Sequence, residues 1–255
     1  MMNKNSAAKI WFDNFSVSFA NKRVLKNLNL QFEGKNISSI IGPSGSGKTT
    51  LLRSINRLNE LEENCFIQGK LWFDLKGKYL DVNKDVDPVL LRRKIGMVFQ
   101  HSNLIPGSIE KNISLALKVV LNFSKSEIEE KIVRALKKVH LWSEVKDRLK
   151  KPALQLSGGQ QQRLCLARTL SLEPEVILLD EPAASLDFKS ARRIEELLME
   201  LKKEYTLIVV SHGLGETRRI SDKVYILSEG ELVKELDKNQ IKDEQFFYKV
   251  TDELF

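Results

Sequence analysis

Hydrophobic and polar positions divide the chain into a run of short elements. Residues 10–19 alternate loosely, with Ile10, Phe12, Val17 and Phe19 as inward candidates, and Leu28, Leu30 and Phe32 alternate more cleanly. This period of two predicts a pair of antiparallel strands joined by the polar turn Ala20-Asn21-Lys22-Arg23. Residues 37–41 form a short buried strand, and 50–59 take helical spacing with Leu51, Leu52, Ile55 and Leu58 on one face. A β segment turning at Gly77 is expected over 69–79, a short helix over 88–94 and a buried strand over 95–99. Residues 104–170 change character. Helices are expected over 109–120, 127–140, 142–149 and 160–170, the second with Ile128, Ile132, Val133, Leu136 and Val139 on one face. Ser124 and Ser126, each followed three residues later by Glu, offer N-caps for that helix. The block interrupts a β/α rhythm and reads as an inserted helical subdomain. The rhythm resumes with strands at 176–180 and 207–210 around a helix to residue 204, capped by Asp187, with Ala191, Ile194, Leu197, Leu198 and Leu201 inward. A hairpin around Glu229-Gly230 closes the pattern over 224–235, and a charged tail with scattered aromatics runs over 237–255. The chain has no internal repeat and no low-complexity linker.

Candidate chemistry sits at the seams between these elements. Gly42-Pro43-Ser44-Gly45-Ser46-Gly47-Lys48-Thr49, between a strand and a helix, matches the phosphate-binding P-loop, G-x-x-x-x-G-K-[ST]. Its glycines let backbone N–H groups approach phosphate oxygens at a helix start. Lys48 is placed to reach the β- and γ-phosphates of ATP or GTP, and the Thr49 hydroxyl to ligate Mg²⁺. The strand at 176–180 ends in Asp180-Glu181, which in a P-loop protein is the Walker B pattern: Asp180 for Mg²⁺, Glu181 as general base toward the attacking water. Other seams carry two readings each. Phe19, at a strand end, is a purine-stacking ring or a core aromatic. Gln100 is a ligand-crevice residue or a surface one. Ser157-Gly158-Gly159-Gln160 is an anion-receptive helix start or an ordinary cap. His212, after an apolar strand, is structural unless that strand neighbours the P-loop strand.

Composition narrows the field without changing it. Hydrophobic residues make up 42% and charged residues 29% of 255, an ordinary globular balance. No apolar run approaches the ~20 residues a membrane span needs. Residues 1–9 lack the apolar core of a signal peptide, which predicts a cytoplasmic chain. Cys65 and Cys165 stand in unrelated contexts, so neither a disulfide nor a metal pair is expected. The net charge of +7 is spread along the chain rather than clustered, which predicts a solvated surface and no nucleic-acid partner.

Taken in order, these motifs resemble those of the ATP-binding cassette (ABC) ATPases over residues 10–235. The resemblance rests on the P-loop, Gln100 as the Q-loop, Leu156-Ser157-Gly158-Gly159-Gln160 as the signature, Asp180-Glu181 as Walker B, Ser185-Leu186-Asp187 as the D-loop and His212 as the switch. It implies an α/β P-loop NTPase of ABC type: a mixed core sheet, an antiparallel β subdomain and an inserted α-helical subdomain at about 104–170, with 236–255 as a short tail. It implies ATP and Mg²⁺ as cofactors. Nucleotide contacts would come from Phe19, Gly42, Pro43, Ser44, Gly45, Ser46, Gly47, Lys48, Thr49, Thr50 and Ser157, Gly158, Gly159 and Gln160. Thr49, Gln100 and Asp180 would hold the metal, and Glu181, His212, Gln100 and Lys48 would act in catalysis. It further implies a head-to-tail homodimer in which Ser157 and Gly159 touch the γ-phosphate of ATP held by the opposite subunit. Such a dimer works at the cytoplasmic face of the membrane with two permease subunits and an extracytoplasmic solute-binding protein.

A narrower likeness is to the phosphate-import ATPases. It lies in Asn56-Arg57-Leu58-Asn59, in residues 141–149 and 156–168, and in Arg193-Ile194-Glu195-Glu196-Leu197. Departures fall at residues 101–109, which lack that subfamily's Pro-Phe-Pro and Tyr, at Phe188 where Pro is usual, and at Gly213-Leu214-Gly215. The alternatives carried beside phosphate import are an importer of tungstate or molybdate, or of polar amino acids, and a non-transport ABC ATPase scaffold.

Overall fold

The computed structural model describes residues 8–121 and 123–254. The first seven residues, part of the stretch read as lacking a signal peptide, and Phe255 of the tail lie outside the described residues. In chain order the strands are β1 (Ala8–Phe19), β2 (Lys22–Glu33), β3 (Ile37–Ile41), β4 (Cys65–Leu75), β5 (Lys78–Asp81), β6 (Ile95–Val98), β7 (Val176–Asp180), β8 (Thr206–Val210), β9 (Lys223–Ser228) and β10 (Glu231–Leu236). The α-helices are α1 (Lys48–Ile55), α2 (Pro88–Lys94), α3 (Ile109–Leu121), α4 (Lys125–Lys138), α5 (Trp142–Val145), α6 (Gly158–Ser171), α7 (Phe188–Leu201), α8 (Leu214–Ile220), α9 (Lys238–Lys242) and α10 (Glu244–Leu254).

Two sheets result. One runs β2-β1-β4-β5, antiparallel throughout; the other runs β10-β9-β3-β8-β7-β6. In the second, β9, β3, β8, β7 and β6 are parallel and β10 is antiparallel to β9, so the core sheet is mixed. Strands β7 and β8 are near-continuous apolar runs because both faces are covered. In β7, Val176 and Leu178 join a core shared with Phe12, Phe32 and Phe73 of the antiparallel sheet. Ile177 and Leu179 point the other way, into a core built with α3, α4 and α6. Those helices lie between β6 and β7 in sequence, as the change of character at residue 104 predicts. The α4 stripe is Ile128, Ile132, Ala135 and Leu136; Val133 is only half-buried.

Boundaries shift where local chemistry overrides periodicity. The turn between β1 and β2 is two residues, with Ala20 at φ 48, so Lys22 and Arg23 belong to the strand. Helix α1 stops at Ile55 rather than 59, since Arg57 adopts φ 59 and its guanidinium binds Glu60 and the carbonyls of Val82 and Val86. Ser124 wins over Ser126 as the cap of α4 through a full capping box with Glu127, so that helix starts and ends two residues early. The helix expected over 142–149 is one α-turn followed by a 3-10 turn, Lys146–Arg148. Helix α7 ends at Leu201, not 204. Helix α8 has no counterpart in the sequence reading; it lacks the Pro at its first turn and the side-chain N-cap that mark α2. The tail folds back: Ile241, Phe247 and Val250 pack on Ile41, Val224, Ile226 and Leu236.

Candidate functional site

The four parallel strands β3, β8, β7 and β6 all end at the same edge of the core sheet, and each ending carries a predicted residue. β3 runs into the P-loop, β8 into Ser211-His212, β7 into Asp180-Glu181, and β6 into Phe99-Gln100. Carboxyl ends of parallel strands are where open α/β sheets hold ligands. β8 pairs directly with β3, which meets the condition under which His212 reads as functional.

The P-loop closes a cleft of about 280 Å³ lined by Val24, Ser44, Gly45, Gly47, Lys48, Thr49, Thr50, Glu181 and His212. Gly47 precedes α1 at φ 101, and a Cβ there would sit 2.7 Å from Leu25 Cδ2, so only glycine lets the loop wrap this tightly. Lys48 donates to the carbonyls of Gly42 and Pro43, both at 2.8 Å. Burial pulls the Lys48 ammonium below the usual lysine range, and the nearby charges of Glu181 and Asp180 oppose that pull. The Ser46 hydroxyl is buried with no hydrogen-bond partner among the described residues.

Glu181 is gripped from two sides. His212 Nε2 lies 2.9 Å from its Oε1, and Gln100 donates Nε2 to its Oε2 at 3.1 Å. Its backbone is in the left-handed region at φ 49, an uncommon conformation for a residue with a side chain, and its N–H donates to Val210. Beside it, the Thr49 hydroxyl donates to Asp180 Oδ1 at 3.3 Å. Burial first, and then the charge of Glu181, pushes the Asp180 carboxyl up from the ordinary range. A hard divalent cation fits this pair: oxygen donors only, one of them a carboxylate whose charge the interior disfavours. Among the described residues no cluster of three His, Cys, Asp or Glu side chains is arranged around a common point for a metal, so protein ligands alone would not complete its shell.

The remaining predicted residues lie elsewhere. Phe19 ends β1, half-buried, and packs against the core shared by the two sheets; it does not line the P-loop cleft. Ser157, Gly158, Gly159 and Gln160 begin α6 and do not line it either. Ser157 caps α6 and forms a capping box with Gln160. Ser157 and Gly158 are exposed while Gly159 is buried. Gln160 also donates to Glu144 at 2.7 Å, and Glu144 pairs with the buried Arg163 at 2.8 Å. Gln100 is exposed and its amide meets Glu181; no hydrogen bond joins it to Thr49 or Asp180.

Val24, Ser211 and Glu216 belong to this region without having been singled out in the sequence. Val24 lines the cleft from β2, a contact only the meeting of the two sheets creates. Ser211 accepts from the N–H of Gly213 at 3.0 Å and donates to Glu216 at 2.7 Å, which shapes the turn that carries His212.

The family model described as ABC transporter matches residues 25–184. The chain belongs to this family. Its ABC fold recurs in CbiO1 from Clostridium perfringens, part of the ABC transporter complex cbiONQ, at 25% identity over 96% of this chain and 95% of that one, with a TM-score of 0.80. The ATP-binding cassette MJ0796, in a dimeric post-hydrolysis structure bound to ADP and Pi, is 30% identical over 90% of this chain and 98% of its own, with a TM-score of 0.74. A bacterial Atm1-family ABC exporter with ATP bound shares the fold at 23% identity and a TM-score of 0.77, this chain covering 42% of it. The mixed sheet, the antiparallel part and the helical part therefore form an ABC-type P-loop NTPase fold, and the domain is an ABC ATPase domain. No helix among the described residues is long and apolar enough to cross a membrane.

Proposed function

We propose that the chain is the ATP-hydrolysing subunit of an ABC importer for inorganic phosphate. The observation that carries the ATPase chemistry is the grip of Gln100 and His212 on Glu181 at the mouth of the P-loop cleft. Lys48 and the N–H groups of residues 44–49 bind the β- and γ-phosphates, and Phe19 stacks on the adenine. Thr49, Asp180 and Gln100 would hold Mg²⁺, and the ion would supply positive charge to offset that of the phosphates. Glu181 takes the proton of the attacking water, and His212, then free of Glu181, donates to the γ-phosphate.

The exposure of Ser157 and Gly158, away from their own P-loop cleft, supports a head-to-tail homodimer in which each signature serves the partner's ATP. The dimeric MJ0796 cassette, bound to ADP and Pi, is consistent with that arrangement. Two membrane permease subunits at the cytoplasmic face and an extracytoplasmic solute-binding protein complete the machine. The domain responsible spans 10–235, with residues 236–255 as an appended segment.

Phosphate as the solute rests on the sequence likeness at residues 56–59, 141–149, 156–168 and 193–197. Within those stretches Arg57 and Asn59 bracket the end of α1, and Glu144 accepts from both Arg163 and Gln160 behind the signature. The departures at residues 101–109 favour a second reading, an importer of another solute such as tungstate, molybdate or a polar amino acid. Uptake of labelled phosphate in cells with and without the chain decides between them. High-affinity phosphate uptake is expected to disappear on deletion while amino-acid uptake persists. Unchanged phosphate uptake with loss of another solute would transfer the assignment to the second reading.

A further inference from the structure

Gln100 stands at the start of an irregular segment that leads from β6 to α3. Two buried side-chain amides hold that segment. Gln162, on α6 and 3% exposed, donates Nε2 to the carbonyl of Phe99 at 3.0 Å and accepts at Oε1 from the Ser102 hydroxyl at 3.0 Å. Both polar ends of one amide are thus engaged on either side of Gln100. At the far end Asn112, fully buried, donates to the carbonyls of Ile105 and Ser108 and accepts from the N–H of Ile105. Gln162 also lies one turn into the helix that Ser157 and Gln160 begin.

We propose that Gln162 is a positioning residue for ATP hydrolysis. It fixes the peptide just before Gln100, so that the Gln100 amide meets Glu181, and it joins that segment to α6, so that Gln100 and the Ser157 helix start move as one body within the chain. A buried amide with both ends satisfied stabilises any fold. The location of this one ties its geometry to catalysis: Phe99 and Ser102 bracket Gln100, whose amide reaches Glu181, together with His101. The inference rests on Gln100 acting in hydrolysis.

The test is steady-state Mg-ATP hydrolysis by the purified full chain, with melting curves. The variants are Gln162→Ala, Gln162→Glu, Gln100→Ala, Glu181→Gln and the Gln100→Ala/Gln162→Ala double. Loss of Gln162 is expected to lower kcat roughly ten- to a hundredfold, as small misplacements of catalytic groups do, with KM for ATP changed by less than about twofold. Gln162→Glu keeps the volume and the Ser102 bond but sets a carboxylate against the Phe99 carbonyl, so its loss is expected to match that of Ala. It carries the same comparison, alone and combined with Gln100→Ala, if Gln162→Ala does not fold. The double variant is expected to be no slower than Gln100→Ala alone. A kcat near wild type in both Gln162 variants, or losses that multiply in the double, would overturn the proposal. Normal turnover in Glu181→Gln, with Gln162 and Gln100 still non-additive, would remove the base assignment and leave this one standing.

Discussion

Glu216 illustrates how a residue outside every motif conditions the site. Its Oε2 accepts from Ser211, while Oε1 is buried with no hydrogen-bond partner among the described residues. Burial, and then the charges of Glu195 and Glu181, push its carboxyl above the ordinary glutamate range, against the bond from Ser211. A carboxyl raised in the folded state contributes stability that is complete below its unfolded value and is lost as pH rises through the folded one. At pH above the ordinary glutamate range Glu216 therefore weighs on the fold. Glu216→Gln, which keeps an acceptor for Ser211, is expected to raise Tm at pH 7–8, by roughly 2–4 °C for each kcal/mol recovered. That gain should shrink toward pH 5. Melting curves across this range check it, and a gain independent of pH would contradict the assignment. Residues of this kind were not legible in the sequence, because an isolated Glu in a seven-residue helix has neither spacing nor neighbours to mark it. The placement of Lys48, Thr49, Asp180 and Glu181 at the ends of β3 and β7 was legible because each follows a strand within a contiguous stretch, which a motif records. The partnership of Gln100 and His212 around Glu181 depends on strand order, which no local pattern records.

Among the elements, α6 shows a packing demand at the helix start that carries the proposed signature. A Cβ on Gly159 would lie 2.8 Å from Ser190 Cβ on α7, closer than side chains pack. Glycine is needed here for packing within the chain, beside any phosphate a partner brings. Gly159→Ala is expected to lose stability by about 1–3 kcal/mol through overpacking. Ser190→Gly, which removes the opposing side chain, is expected to return most of it. Chemical denaturation of the two single variants and the double checks this, and an unchanged Gly159→Ala would refute it. Element identity was legible wherever period or capping was strong: β3, β7, α2 and α4 fall where alternation, apolar runs, Pro88 or Ser124 place them. Ends were less legible, since left-handed residues such as Ala20 and Arg57, and the brackets on Arg57, come from tertiary partners.

At the scale of the molecule, the proposed composite site makes a prediction no single chain can satisfy. In a Glu181→Gln background, Lys48→Ala on one copy and Ser157→Arg on another should each fail to trap ATP, because both sites of either homodimer are damaged. Mixed, they form a heterodimer with one intact site, and trapped ATP is expected to return at about one per heterodimer. Differentially tagged heterodimers without recovery would argue that each chain builds its own site. The topology carries a further consequence, for synthesis. β3, which feeds the P-loop, is flanked by β8 and β9, and Ile37 is also bound by Asp222, 185 residues further along. At about 5–20 residues per second, translation leaves that strand without neighbours for on the order of ten to forty seconds. During that interval five apolar or small residues present two open edges, the arrangement by which nascent chains pair wrongly with one another. A polypeptide that ends before β8 therefore carries every residue of its nucleotide loop but neither of the strands that flank β3. For this protein the last quarter of the message decides whether the first quarter survives.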